Sequence, residues 1–275
     1  INDVHPYDTL TVEDAFVYSS NIGVAKLALE NLTAAQLFRM ARELGFGERT
    51  DVELPAEEPG IIHPPSEWSG LSKAVFPFGQ EVTVNILQLL GAYATVANDG
   101  VATELHLVKR IGISENKFKE DTVLTKDIAR RMQKIFHQVV ERGTGKAAKV
   151  EGIPVAGKTG TAQKAGVGGY VKGKVYASFV GFAPVDSPSI VAAFVINEPE
   201  KQYGGVVAAP CFRELINELA ISHPEFFPTV NNNRFAKNED KKRTYTAVPN
   251  LVMLKRSNAE TILTREGIDL SLIHI

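Results

Sequence analysis

A change of hydrophobic period late in this chain limits its fold class. The long periodic segments up to residue 141 have apolar side chains at helical spacing; from Ile153 they sit in short extended segments between Gly-rich or Pro/Asp/Ser turns. Strands are expected at 153–161, 175–183 and 189–196. The last two are joined by Pro184-Val185-Asp186-Ser187-Pro188 and should be antiparallel neighbours. A helix over about 209–220 closes the run. Helices first, strands last and a closing helix give an α+β domain, with helices packed on an antiparallel sheet.

Within the helical half, Thr11-Val12-Glu13-Asp14 reads as a helix start, a hydroxyl cap with two acids in the first turn. That helix should run to about Tyr18, where Ser19-Ser20-Asn21 interrupts it. A second helix resumes at Ile22. Thr33-Ala34-Ala35-Gln36 is a capping box for a third, with Leu37, Met40, Ala41 and Leu44 on one face and Gly45-Phe46-Gly47 as its stop. Residues 48–82 lack a period and read as a long irregular connection. Thr83 is expected to cap a helix to Ala97, closed by Asn98-Asp99-Gly100. Short strands around a charged loop follow at 101–124, then a helix over 125–141 stopped by Gly143-Thr144-Gly145.

A 275-residue chain with 44% hydrophobic residues has ample material for a core, which excludes wholesale disorder. Its organisation reads as one domain over 1–222, a polar linker over 223–244, and the start of a small second domain over 245–275. With 30 basic against 32 acidic residues there is no electrostatic footprint for nucleic acid. Cys211, the single cysteine, excludes an intrachain disulfide and reads as a small buried hydrophobe. The six histidines show no ligand spacing, so neither a metal nor another cofactor is expected. The apolar stretch over 84–96 is too short to span a bilayer. The N-terminus resembles no signal peptide and reads as the inside of a longer protein.

Ala156-Gly157-Lys158-Thr159-Gly160-Thr161-Ala162 carries the chemistry. A lysine among small residues, in a strand otherwise suited to burial, makes little sense as packing. Gly and Thr beside it allow close approach of a ligand and offer hydroxyl donors. The run from Gly152 to Thr159 also matches G-x-x-x-x-G-K-[ST] letter for letter. A phosphate cradle is nevertheless excluded. Ile153 and Val155 are β-branched, Pro154 lacks an N–H, and no helix can follow through Gly160 and Gly166-Val167-Gly168-Gly169.

Taken with Ser19-Ser20-Asn21, the Lys158 strand resembles the S-x-N and K-T-G members of the S-x-x-K, S-x-N, K-T-G set. Further segments match in order: Phe78-Gly79-Gln80-Glu81-Val82-Thr83, Ala97-Asn98-Asp99-Gly100, Gly143-Thr144-Gly145, and Ala177-Ser178-Phe179-Val180-Gly181-Phe182-Ala183-Pro184. Residues 1–220 thus resemble the C-terminal two-thirds of the transpeptidase domain of a class B penicillin-binding protein. Residues 248–268 resemble the opening of a PASTA module through Val248-Pro249-Asn250, Ala259 and Gly267, with Met253 replacing the usual glycine.

The resemblance implies a penicillin-binding/β-lactamase-like fold, truncated at its N-terminus, and serine acyl transfer from D-Ala-D-Ala stem peptides. It makes Ser19 a proton relay and Asn21 the holder of the substrate amide, while Lys158 orients Ser19 and supplies charge. Thr159, Gly160 and Thr161 form the carboxylate and oxyanion site. It also implies β-lactams as ligands, division or elongation membrane proteins as partners, and the extracytoplasmic face of the cell envelope as location. The nucleophile is absent: only 18 residues precede Ser19, and Ser114-Glu115-Asn116-Lys117 matches S-x-x-K in the wrong order, in a charged loop. The chain alone should be inactive. The rival reading is a non-catalytic peptidoglycan- or partner-binding protein with a degenerate transpeptidase fold. A class A β-lactamase fits less well, since Ser20 stands where Asp is typical.

Overall fold

The computed structural model describes residues 1–108, 110–111, 114–115, 118–166 and 169–228. The module expected at 245–275 and most of the linker lie outside the described residues. Residues 223–228 form a 3-10 turn at Pro224–Phe226 and a fully buried Phe227, so packing on the domain continues past residue 222.

Three helices open the chain: α1 (Val12–Val17), α2 (Asn21–Asn31) and α3 (Ala34–Glu43). Each starts on the hydroxyl its sequence offers. Thr11 accepts from Asp14 N–H, Ser20 from Gly23 N–H, and Thr33 and Gln36 form the reciprocal capping box. The α3 stripe is only partly covered, with Leu37, Ala41 and Leu44 half-buried and Met40 exposed.

The irregular connection contains β1 (Ile61–Ile62), α4 (Ser72–Val75) and β2 (Val82–Thr83), with β1 and β2 paired antiparallel. That pairing corrects one expectation. Thr83 belongs to β2, and α5 (Ile86–Ala97) starts on Asn85, whose side chain accepts from Gln88 N–H while Gln88 answers at Asn85 N–H. Short strands β3 (Val101–Thr103), β4 (Arg110–Ile111), β5 (Ser114–Glu115) and β6 (Glu120–Thr122) precede α6 (Lys126–Glu141).

The principal sheet has strand order β7 (Ala156–Gly166), β8 (Gly169–Ala183), β9 (Ile190–Asn197), antiparallel throughout. β7 starts at Ala156, three residues later than its apolar run, because Ile153 pairs only in a bridge with Val150. β7 and β8 continue as a hairpin through an exposed polar stretch that alternation could not reveal. The closing helix, α7 (Gly204–Ser222), begins five residues before expectation and contains Pro210. Gly204 and Gly205 disfavour helix, but here they are needed for contact. A Cβ on Gly204 would lie 2.2 Å from Ser178 O and 2.4 Å from Gly160 O.

Both faces of the sheet are packed. Phe179 tilts against Phe212 of α7 with centroids 5.1 Å apart, and its ring lies where Cβ atoms on Gly157 and Gly181 would be. On the other face Phe182 and Ala156 meet Ala97, Tyr93 and Phe136 of α5 and α6. Removing the Phe179 ring should cost about 3–5 kcal/mol, read as a lower denaturant midpoint for Phe179→Ala at unchanged slope.

Candidate active site

Two helices meet end to end at Ser19. Ser20 N–H bonds Ala15 O (2.9 Å) and Ser19 N–H bonds Phe16 O (3.2 Å), which is the Schellman closure of α1. Its left-handed position, usually glycine, is occupied by Ser19 at φ 59°. A non-glycine residue there carries strain of about 1–2 kcal/mol. Ser20, almost fully buried, caps α2 and donates to Asp3 Oδ2 at 2.6 Å, while Asp3 Oδ1 accepts from Ile22 N–H. The middle residue of the triplet is therefore structural, and the exposed Ser19 hydroxyl is left for the cleft.

Lys158 reaches that hydroxyl from β7. Its Nζ donates to Ser19 Oγ at 2.7 Å and to Thr159 O at 3.3 Å. The Ser19 oxygen thus accepts from the lysine and keeps its own O–H for another partner. Thr159 Oγ1 lies 2.7 Å from Thr144 Oγ1, and Thr161 Oγ1 accepts from Gly204 N–H at 3.3 Å. Asn21 lines the same cleft and donates to Asn2 O at 3.1 Å. Gly160 sits where a Cβ would lie 2.4 Å from Ser178 Oγ. The structure brings all six residues, Ser19, Asn21, Lys158, Thr159, Gly160 and Thr161, to one cleft of about 850 Å³.

That cleft favours an anion. Its described lining includes the cations Lys158 and Lys146, together with Arg142, whose charge is paired with Asp14, and no aspartate or glutamate. Burial pushes the Lys158 ammonium down to about 8 from its ordinary 10.5. The folded state therefore holds the proton less tightly than the unfolded chain. The cost is carried in full below pH 8 and relieved as pH rises from 8 to 10.5. Relative to a Lys158→Met variant, the wild-type chain should gain about 2 kcal/mol of stability between pH 7.5 and pH 10. Denaturant unfolding of both at the two pH values checks this; a pH-independent difference contradicts it.

Several lining residues had no local signal. Tyr18, Arg142, Lys146 and Tyr203 lie in ordinary helix ends and loops, and only the fold assembles them. Gly143-Thr144-Gly145 was legible as a helix stop but not as the partner of Thr159. Trp68 is a loop anchor: its Nε1 donates to His63 O (2.8 Å) and its ring packs on Phe76. Gly157 to Thr161 lie in paired strand with no helix following, which is no phosphate cradle. Ser114 lies in β5, while Asn116 and Lys117 lie outside the described residues.

The family model described as the penicillin binding protein transpeptidase domain matches residues 1–217. The chain is 35% identical over 238 residues to penicillin-binding protein PbpB of Mycolicibacterium smegmatis, covering 80% of this chain and 36% of that protein. It is 36% identical over 231 residues to the probable peptidoglycan D,D-transpeptidase PenA of Neisseria gonorrhoeae, covering 81% and 39%. Among solved structures it resembles penicillin-binding protein 3 of Mycobacterium tuberculosis complexed with aztreonam. The TM-score is 0.75 at 29% identity, covering 82% of this chain and 54% of that one. The chain spans less than two-fifths of the length of these two curated relatives.

Proposed function

The chain belongs to the penicillin-binding protein transpeptidase family, and from that premise we propose that it forms the S-x-N and K-T-G half of a serine-type D,D-transpeptidase site. The observation that carries this reading is the Lys158–Ser19 hydrogen bond of 2.7 Å in a cleft whose described lining holds no acid. In this reading the nucleophilic serine comes from an S-x-x-K segment outside this chain. Its oxygen attacks the carbonyl between two D-alanines of a stem peptide, and the C–N bond breaks. Ser19 passes the serine's proton to the departing D-Ala amine; an amine of a neighbouring peptide then attacks the ester, the C–O bond to the serine breaks, and the amine's proton returns through Ser19 to the serine oxygen. Lys158 holds the Ser19 oxygen and supplies positive charge. Asn21 holds the substrate amide. Thr159 and Thr161 take the terminal carboxylate, with Gly160 admitting the peptide and the Thr161 N–H serving as an oxyanion donor.

The same reading makes β-lactams covalent ligands of the full-length protein and places it on the extracytoplasmic face of the cell envelope. There it would work with membrane proteins of division or elongation. No described helix is long and apolar enough to cross a membrane. The module resembling PASTA belongs to this proposal as a small appended domain.

Intact-mass measurement after incubation with penicillin tests the assignment. The full-length protein should gain one equivalent on the S-x-x-K serine, and the 275-residue chain alone none. An adduct on a serine of this chain overturns the placement of the nucleophile. A full-length protein that never acylates favours a binding protein with a degenerate site.

A further inference from the structure

Ser19 and Lys158 come from elements 139 residues apart, so something must hold them at 2.7 Å. Between them runs a closed chain of contacts centred on Arg142, the residue that ends α6. Two nitrogens of its guanidinium donate hydrogen bonds and the third makes an ion pair. Nε donates to Gln138 Oε1 (2.9 Å), Nη1 to Tyr18 Oη (3.1 Å), and Nη2 pairs with Asp14 Oδ1 (2.7 Å). The guanidinium also lies 5.5 Å above the Tyr18 ring. Tyr18 immediately precedes the strained Ser19, and its ring stacks with that of Tyr7.

The next two residues carry the link to the strand. A Cβ on Gly143 would lie 2.3 Å from Val17 O, so the end of α6 is pressed against the end of α1. Thr144 N–H bonds Val17 O, and Thr144 Oγ1 meets Thr159 Oγ1, the neighbour of Lys158. Arg142 therefore fixes the backbone on which Ser19 sits, while the segment it begins fixes the strand that carries Lys158. The Asp14 carboxyl is held below its ordinary range by Thr11 and then by Arg142.

We propose that Arg142 is a positioning residue for acyl transfer: its three-way fork between Asp14, Tyr18 and Gln138 sets the Ser19–Lys158 distance. This rests on reading Ser19 and Lys158 as one site. It concerns the reaction step and not ligand capture, because the Arg142 nitrogens are already engaged by Gln138, Tyr18 and Asp14, and the carboxylate is assigned to Thr159 and Thr161.

The test is acylation of the full-length protein by a chromogenic cephalosporin, resolved into an initial dissociation constant and a covalent rate constant. Arg142→Met should slow the covalent step about 10–100-fold and leave initial binding within about twofold, as a displacement near 1 Å would. Arg142→Lys keeps the charge without the fork and should recover only part of the loss. Tyr18→Phe, which deletes one acceptor, should slow the same step about 3–10-fold. These milder variants carry the test if Arg142→Met does not fold. Arg131→Met, which breaks the exposed Arg131–Glu13 pair between the same two helices, should change nothing. An unaltered covalent step in Arg142→Met, a loss confined to initial binding, or an equal loss in Arg131→Met overturns the proposal. Lys158→Met serves as reference. If it too acylates normally, the reading of the site itself fails; if it alone is impaired, only the role of Arg142 does.

Discussion

Replacing Lys158 with methionine should lower the rate of covalent capture of a labelled penicillin by the full-length protein about 10³-fold or more. Two contributions vanish together. The Ser19 oxygen loses the donor that orients it at 2.7 Å, and a cleft with no acid in its described lining loses a buried cation. A general acid–base group usually contributes about 10²–10⁴-fold, and the charge acts on top of that in a desolvated site. The variant should not be unfolded at neutral pH. Methionine fills the stem's volume, and burial of the ammonium is a cost that the substitution removes. Stopped-flow acylation with parallel unfolding curves separates the two effects. A slow but well-folded variant is the expected result; retained acylation would remove Lys158 from the chemistry.

The second large effect is expected at Gly204. An alanine there would place its Cβ against two backbone oxygens, Ser178 O at 2.2 Å and Gly160 O at 2.4 Å. Neither is the end of a flexible side chain, so α7 must lift from the sheet or β7 must shift. Overpacking of this kind costs typically about 1–3 kcal/mol, and the backbone contacts put Gly204→Ala at or above the upper end. For a domain of this size that is a fall in Tm of about 6–12 °C. The same shift would move Gly160 and break the Gly204 N–H contact with Thr161 Oγ1, so carboxylate binding should weaken as well. Differential scanning calorimetry checks the first effect, and the initial dissociation constant for penicillin the second. A Tm within 2 °C of wild type would show that the helix terminus is less tightly seated than its contacts imply.

What could be read from the sequence follows from how local each signal is. Caps are local: Thr11 and Thr33 reveal helix starts because their partners lie three residues away, whereas Ser19-Ser20-Asn21 reads only as an interruption and the structure shows Ser20 capping α2. Lys158 stood out because a lysine between glycine and threonine has no packing role in a buried strand. Thr83 misled because a hydroxyl before an apolar run looks like a cap, while pairing of β2 with Ile61 and Ile62 claims it first. The start of α7 was hidden because glycine and proline oppose helix by propensity, and only close approach to β7 explains them. Arg142 could not be found at all. Its partners Asp14 and Tyr18 lie more than 120 residues away, and nothing around it in the chain distinguishes it from a helix-end arginine.

The account stands on Ser19 and Lys158 acting as a unit, and a double-mutant cycle on acylation of the full-length protein measures that directly. Ser19→Ala, Lys158→Met and the double variant are compared with wild type by the covalent rate constant. If the hydroxyl works only while the lysine holds it, the double variant should be no slower than the slower single variant, within about threefold. Losses that multiply across the pair would mean that the two side chains act independently, and would contradict the single site proposed for them.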